Sequence, residues 1–287
     1  MNAIVFFCFR PPKEIFDFAN LLKNETYDIF VSVNDNEYIL PYYDQNVIKI
    51  IKLDDNKVKN AGYFNSNNNM RYQVSSRDKA FYYFNRVNHT DYKHIWFIEE
   101  DVFIPTTKTI RNIDNKYPDC DYMSNSYFIV DNDVDNLDNF NNINKELPFV
   151  KYSENQFQES WAFTDFNLIK YYGFPWLKGM TCAIRVSKKF LKHIDIFAIK
   201  HNTLIIDEVL YLTLSAHNNL SIINPIELSP IVYRCDFNSN PKYGINMDKI
   251  TNFLYWNLND DIREDYLFHP IKDLKFQNQL RLERNFN

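Results

Sequence analysis

The segment His94-Ile-Trp-Phe-Ile-Glu-Glu-Asp-Val-Phe-Ile-Pro105 constrains this chain more than any other. Residues 94–98 are mostly apolar, with β-branched and aromatic side chains, and predict a buried strand. Glu99, Glu100 and Asp101 follow at once, the apolar run resumes at Val102, and Pro105 ends it. Carboxylates set between two apolar runs are costly in a core unless each has a partner, a proton or a metal ion. In open α/β sheets, ligands bind beyond the carboxyl ends of the strands. The cluster therefore stands where a divalent cation and a phosphate would be held. The competing reading is an ordinary acidic turn leaving a strand.

The flanking sequence supplies the rest of such a sheet. Strands are predicted at residues 4–9, 28–33 and 47–53. Helices are predicted at 11–22, where Pro11 and Pro12 suit a helix start, and at 75–87, opened by Ser75-Ser76-Arg77-Asp78. The polar, Asn-rich residues 54–69 are expected to form a loop. Strands alternating with helices imply a mainly parallel, doubly wound α/β sheet. Further on, the pattern predicts helices at 106–115, 187–199 and 206–217 and strands at 121–130 and 179–186. The Asn/Asp-rich stretch 131–144 has no apolar period and reads as a solvated loop. No repeat or linker divides the 287 residues, so one domain is expected.

Composition narrows the partners. A net charge of −5 argues against a general nucleic-acid binder, which needs a basic face. Aromatic residues reach 17%, which suits core packing and stacking on bases or sugars alike. Heavy use of Asn, Ile, Lys, Tyr and Phe, with few Ala and Gly, fits an AT-rich genome, as in many large DNA viruses and protists. Only four glycines occur and none precedes Gly62, which excludes the common glycine-rich phosphate loops. A bound phosphate must then be held by metal and side chains. Cys8, Cys120, Cys182 and Cys235 form no C-x-x-C pair, so neither a zinc ribbon nor a disulfide framework is expected. Cys8 and Cys182 lie in apolar runs and read as core residues. The apolar run 3–9 is too short for a signal peptide, and no run approaches membrane-spanning length. A soluble, intracellular protein is expected, with the sequons at Asn24, Asn88 and Asn219 arising by chance.

Taken in order, four motifs resemble a nucleotide-sugar-dependent glycosyltransferase of the GT-A fold, over residues 3–272. The resemblance implies a Rossmann-like, mainly parallel central sheet flanked by helices, in a single domain. Residues 1–105 would be its nucleotide-binding half, and 106–287 its acceptor-binding half with a C-terminal closing segment. Glu99-Glu100-Asp101 stand at the family's DxD-type position. That implies Asp101 as the main metal ligand, Glu99 as a ribose or metal contact, and Glu100 beside them at the nucleotide. Trp176-Leu-Lys-Gly-Met-Thr-Cys-Ala-Ile-Arg-Val-Ser187 resembles the glycine-containing segment near the donor sugar, where Gly179 would permit close backbone approach; a plain turn glycine is the alternative. Ile206-Asp207-Glu208-Val209-Leu210-Tyr211 resembles the acidic motif that supplies the base in inverting members. Position for position the base is Glu208, with Asp207 beside it, although acids in a first helical turn also simply favour the helix dipole. Phe268-His269-Pro270-Ile271-Lys272 resembles the closing segment, implying His269 on the metal and Lys272 on the diphosphate.

Outside the motifs, Arg10 just past the first strand is a candidate nucleotide contact. Arg77, Asp78 and Lys79, at the helix start before the acidic strand, are candidates for the same pocket, against a solvated helix face as the alternative. The implied cofactors are Mn²⁺ or Mg²⁺ and a nucleotide-sugar donor, UDP-sugars being the family's commonest, with a glycan or other hydroxyl acceptor. An inverting transfer through an oxocarbenium-like state needs a base on the acceptor face. Two rival readings are a catalytically inactive glycan- or partner-binding relative and a sugar-phosphate nucleotidyltransferase. The second needs a glycine-rich loop after the first strand, which this chain lacks.

Overall fold

The first strand shows why the sheet needs cover on both sides. In β1 (Asn2–Cys8), Ala3, Val5 and Phe7 enter one hydrophobic core, while Ile4, Phe6 and Cys8 enter another. Side chains alternate along a strand, so a continuous apolar run buries both faces. β4 (His94–Glu99) repeats the pattern, with Ile95 and Phe97 in the first core and Trp96 and Ile98 in the second. Helices supply the two covers. α3 (Ser76–Arg86), α5 (Lys188–His201) and α6 (Asp207–His217) pack on the first face, and α1 (Lys13–Leu22) and α4 (Thr109–Lys116) on the second.

The computed structural model describes residues 1–24, 26–65, 74–131, 143–144, 150–153, 171–231 and 264–283. Its main sheet has eight strands in the order β3-β2-β1-β4-β10-β5-β11-β7, adding β2 (Tyr27–Val33), β3 (Ile48–Ile51), β5 (Tyr122–Met123), β7 (Ile143–Asn144), β10 (Ala183–Ser187) and β11 (Ile222–Ile223). β10 runs antiparallel to both neighbours, and the other pairings are parallel. This is the expected mainly parallel α/β sheet flanked by helices. A smaller sheet joins β8 (Val150–Ser153), β6 (Ser126–Asp131) and β9 (Trp176–Gly179).

Much of the aromatic content goes into the first core. Phe97 stacks on Phe7 with ring centroids 5.4 Å apart, and Phe81 of α3 sits 4.6 Å from Phe97 and 5.1 Å from Tyr211 of α6. On the second face, Asp114 of α4 accepts hydrogen bonds from Trp96 at 2.9 Å, Arg185 at 2.6 Å, Asn2 at 3.0 Å and the Tyr27 hydroxyl. Four donors on one buried carboxylate tie β1, β2, β4 and β10 to a single helix.

Three sequence expectations need correction. Residues 54–69 are not all loop: α2 (Asp55–Asn60) forms there because Asp54 caps it, accepting from the Lys57 amide at 2.8 Å, and Val58 anchors it in the core. The strands expected at 121–130 and 179–186 each divide, at Ser124-Asn125 and at Met180–Cys182, and feed both sheets. Asn125 holds the break by donating to the Ile231 carbonyl at 2.6 Å and accepting from the Met180 amide at 2.7 Å. The C-terminal helix α7 (Leu274–Glu283) was not anticipated. Its Arg281 is buried over the Phe18 ring, 3.6 Å from the centroid, and donates to the Ile104 carbonyl at 2.9 Å. Of the stretch 131–144, only Asp131, ending β6, and β7 fall among the described residues. No helix of the described residues is long and apolar enough to cross a membrane.

Candidate active site

β1 and β4 run parallel with Phe7 opposite Glu99, so both end at the same level. Beyond their carboxyl ends opens a cleft of about 640 Å³. The end of β1, the start of α3, the acidic run after β4, the start of α6 and Lys272 line it.

α3 starts at this rim because Ser75 and Asp78 form a capping box, each side chain bonding the other's backbone amide. Asp78 lines the cleft, but its carboxylate is committed to the cap, and burial pushes it up to about 6. Arg77 points into the cleft. Its guanidinium donates to Glu99 Oε1 at 2.6 Å and to the Thr181 carbonyl and hydroxyl at 3.1 Å, and pairs with Asp207. Lys79, two residues on, is turned away by the helical rotation and does not line the cleft. It is fully buried, bonding the Asn34 carbonyl at 2.7 Å and Asp55 at 2.8 Å, and so holds the end of β2 against α2. Arg10 also lines the cleft, exposed, and pairs with Asp35 at 2.6 Å.

The three acids divide because β4 ends at Glu99 and the chain turns through Glu100 and Asp101, closed by the Val102 amide donating to the Glu99 carbonyl at 3.0 Å. Glu99 faces α3 and splits its oxygens: Oε1 holds Arg77, while Oε2 lies 3.9 Å from His269 Nε2. Asp101 splits likewise, with Oδ2 accepting from Lys272 Nζ at 2.7 Å and Oδ1 lying 3.4 Å from His269 Nε2. Burial alone would raise the Asp101 carboxyl, but His269 and Lys272 hold it well below the usual range. Glu100 turns to the other face, toward Cys8. Burial pushes its carboxyl up to about 7, against the pull of a hydrogen bond from the Cys8 thiol.

His269 and Lys272 arrive from the far end of the chain because their segment is stitched onto the acidic run. The Phe103 and Phe268 backbones exchange hydrogen bonds of 2.8 and 3.1 Å, and the Ile271 amide donates to the Asp101 carbonyl at 2.8 Å. The His269 amide donates to Pro230 at 3.1 Å. His269 is buried behind Glu99 and Asp101 and is not part of the cleft wall.

The glycine segment contributes differently from expectation. Gly179 ends β9, paired with Ser126; its backbone is not left-handed, and it does not line the cleft. Thr181 and Cys182 are the residues of that segment that reach the site, and both went unremarked as functional in the sequence. Thr181 bonds Arg77 and donates to Asp207. The Cys182 carbonyl accepts from the Glu99 amide at 2.7 Å, and its thiol joins Glu99 and His269 in a group whose donor atoms lie within 4.8 Å of one another. Burial pushes the thiol well up, and the Glu99 and Asp101 charges add to that. At α6, Asp207 lines the cleft, whereas Glu208 faces Lys178, with Oε2 3.7 Å from Nζ, and does not. The preference for Glu208 over Asp207 therefore finds no support in their placement.

The structure thus brings Glu99, Asp101, His269, Lys272, Arg77 and Asp207 together, with Arg10, Asp78 and Glu100 at the margins. The Glu99 carboxylate, the His269 imidazole and the Cys182 thiol, with donor atoms within 4.8 Å of one another, suit a divalent cation, and Asp101 stands beside them, 3.4 Å from His269.

No known family model matches the chain, and no curated protein sequence matches it. Among solved structures, it is similar to an active-site mutant of LgtC at 10% identity and a TM-score of 0.45, covering 99% of this chain and 96% of that one. It is also similar to the galactosyltransferase LgtC in complex with donor and acceptor sugar analogues, at 8% identity, a TM-score of 0.43 and the same coverage. At such distances the likeness does not bear on activity.

Proposed function

We propose that this chain is a metal-dependent glycosyltransferase of the GT-A type, moving a sugar from a nucleotide-sugar donor, with UDP-sugars first to be tried, to a hydroxyl acceptor. One observation carries the reading. At the carboxyl ends of β1 and β4, one oxygen each of Glu99 and Asp101 faces His269, with Lys272 and Arg77 alongside. A bound divalent cation would neutralise charge on the departing diphosphate. Glu99, Asp101 and His269 would hold it. Lys272, half exposed beside Asp101, is placed to donate to diphosphate oxygens and to share in that neutralisation. Arg77 fixes the geometry of Glu99 and Asp207 across the cleft floor.

The stereochemical course depends on an acid able to take the acceptor's proton. Glu208 lies outside the cleft wall, so the expectation of an inverting transfer rests on Asp207. Asp207 is held by Arg77 and Thr181, and this favours a second reading, binding of the nucleotide sugar without transfer.

The test is melting with UDP, with and without Mn²⁺, followed by UDP release from a panel of UDP-sugars. Saturation at one hundred times Kd should stabilise the protein by about 2.7 kcal/mol, only with metal present, and Asp101→Ala should remove the effect. Stabilisation without UDP release selects the binding-only reading. No metal-dependent stabilisation by any nucleoside diphosphate overturns both.

A further inference from the structure

We propose that Cys182 is a metal ligand: a cation seated at the inner side of the cleft wall is held by the Cys182 thiolate with Glu99 Oε2 and His269 Nε2, and with Asp101 Oδ1 as fourth donor. The site then selects a thiophilic ion such as Zn²⁺ or Co²⁺ over Mg²⁺. This rests on the metal reading above and changes which ion it takes.

Three separate elements deliver the donors. Glu99 ends β4, Cys182 leads into β10 directly beside it, and His269 comes from the C-terminal segment. The backbone bond from the Glu99 amide to the Cys182 carbonyl, at 2.7 Å, sets the two residues side by side where β4 ends and β10 begins. The donor atoms of Glu99, Cys182 and His269 already lie within 4.8 Å of one another. A tetrahedral ion with sulfur at about 2.3 Å and nitrogen or oxygen at about 2.0–2.2 Å spaces its donors roughly 3.3–3.8 Å apart. The separations of 3.9 Å for Glu99 to His269 and 3.4 Å for Asp101 to His269 already approach that spacing. Closing Glu99, Cys182 and His269 onto one ion needs shifts of about an ångström, and Asp101, outside that group, has further to move.

The splitting of each carboxylate gives a second, independent argument. Arg77 takes Glu99 Oε1 and Lys272 takes Asp101 Oδ2, which leaves Oε2 and Oδ1 as the oxygens facing His269. Each cation thus orients its acid without using the oxygen that would bind metal, as supporting partners do around metal ligands. On binding, the Cys182 S–H bond breaks, the sulfur–metal bond forms, and one proton leaves to solvent. A thiolate among the donors suits Zn²⁺ or Co²⁺, whereas Mg²⁺ takes an octahedral set of oxygens.

The test uses the full chain, reduced and free of metal, titrated with Co²⁺. A near-ultraviolet thiolate-to-cobalt charge-transfer band should grow to one equivalent. It should be absent in Cys182→Ser and retained in Cys8→Ser. Cys182→Ser should bind Zn²⁺ at least about tenfold more weakly and leave Mg²⁺ affinity within about threefold. X-ray absorption on the Zn²⁺ form of the unaltered protein gives an answer even if the variant does not fold: one sulfur at about 2.3 Å is expected. Stoichiometric Co²⁺ or Zn²⁺ binding with no sulfur ligand overturns this proposal and leaves the metal reading intact. A sulfur ligand that persists in folded Cys182→Ser also overturns it. Absence of binding by Mn²⁺, Co²⁺ and Zn²⁺ alike removes both.

Discussion

Arg77 is the residue whose removal should be most informative. Its guanidinium joins Glu99 from β4, Thr181 from the segment before β10, and Asp207 from α6. Arg77→Ala strands two carboxylates facing each other across the cleft floor. Breaking a buried pair by removing one partner costs about 3–5 kcal/mol, whereas exposed pairs contribute at most about 1 kcal/mol. The side chains of Arg77 and Asp207 are 13% and 15% exposed, but that of Glu99 is 35% exposed. Screening at Glu99 puts the expected loss at the low end, about 3 kcal/mol. At about 2.1 cal/mol/K of unfolding entropy per residue, that lowers the melting temperature of a 287-residue chain by roughly 5 °C. Neutralising one stranded acid should recover part of the loss. Arg77→Ala with Asp207→Asn should therefore be at least about 1 kcal/mol more stable than the two single effects summed. Urea unfolding of the four proteins in the cycle, without metal, supplies the numbers. A loss below about 1 kcal/mol for Arg77→Ala, or additivity within about 0.5 kcal/mol, refutes the view that the guanidinium holds this cleft together.

Other outcomes follow from particular side chains. Glu100 has its carboxyl raised to about 7, so the folded state keeps a proton that the unfolded chain releases near pH 4.3; stability is lost as pH rises between those values and stays low above. Glu100→Gln should thus be neutral near pH 4 and stabilising by roughly 2 kcal/mol at pH 8, and equal effects at both pH values would contradict the burial argument. Asp207→Asn should reduce turnover by about 10²–10⁴-fold, with a smaller loss for Glu208→Gln; the reverse ranking returns the role to Glu208, and a product retaining the donor's anomeric configuration removes the base altogether. Asp114→Ala strands Arg185 and three neutral donors on the face away from the cleft, and should cost about 3–5 kcal/mol in urea unfolding while leaving Kd for UDP with Mn²⁺ unchanged.

Local pattern and tertiary structure contributed different things. The apolar run of β4, the helix start at Ser75 and the acids after Ile98 were legible because each is set within a few residues by alternation, capping or charge. The parallel sheet followed from the order of those elements. The same local logic misread α2, whose polar residues hide a single cap and one anchoring valine. It also misread the segments 121–130 and 179–186, where strands change sheets through the long-range bonds of Asn125. The motif order supplied by resemblance pointed to His269 and Lys272, but only the pairing of residues 101–103 with 268–271 sets them against Asp101. Likewise the sequence made Asp207 and Glu208 adjacent acids of equal chemistry. One helical step of rotation separates them, turning Asp207 to Arg77 and the cleft and Glu208 to Lys178. Cys182 read as core because its neighbours are apolar. Its thiol meets Glu99 and His269 only because β10 lies beside β4 and the C-terminal segment closes behind them, contacts made between residues far apart in the chain.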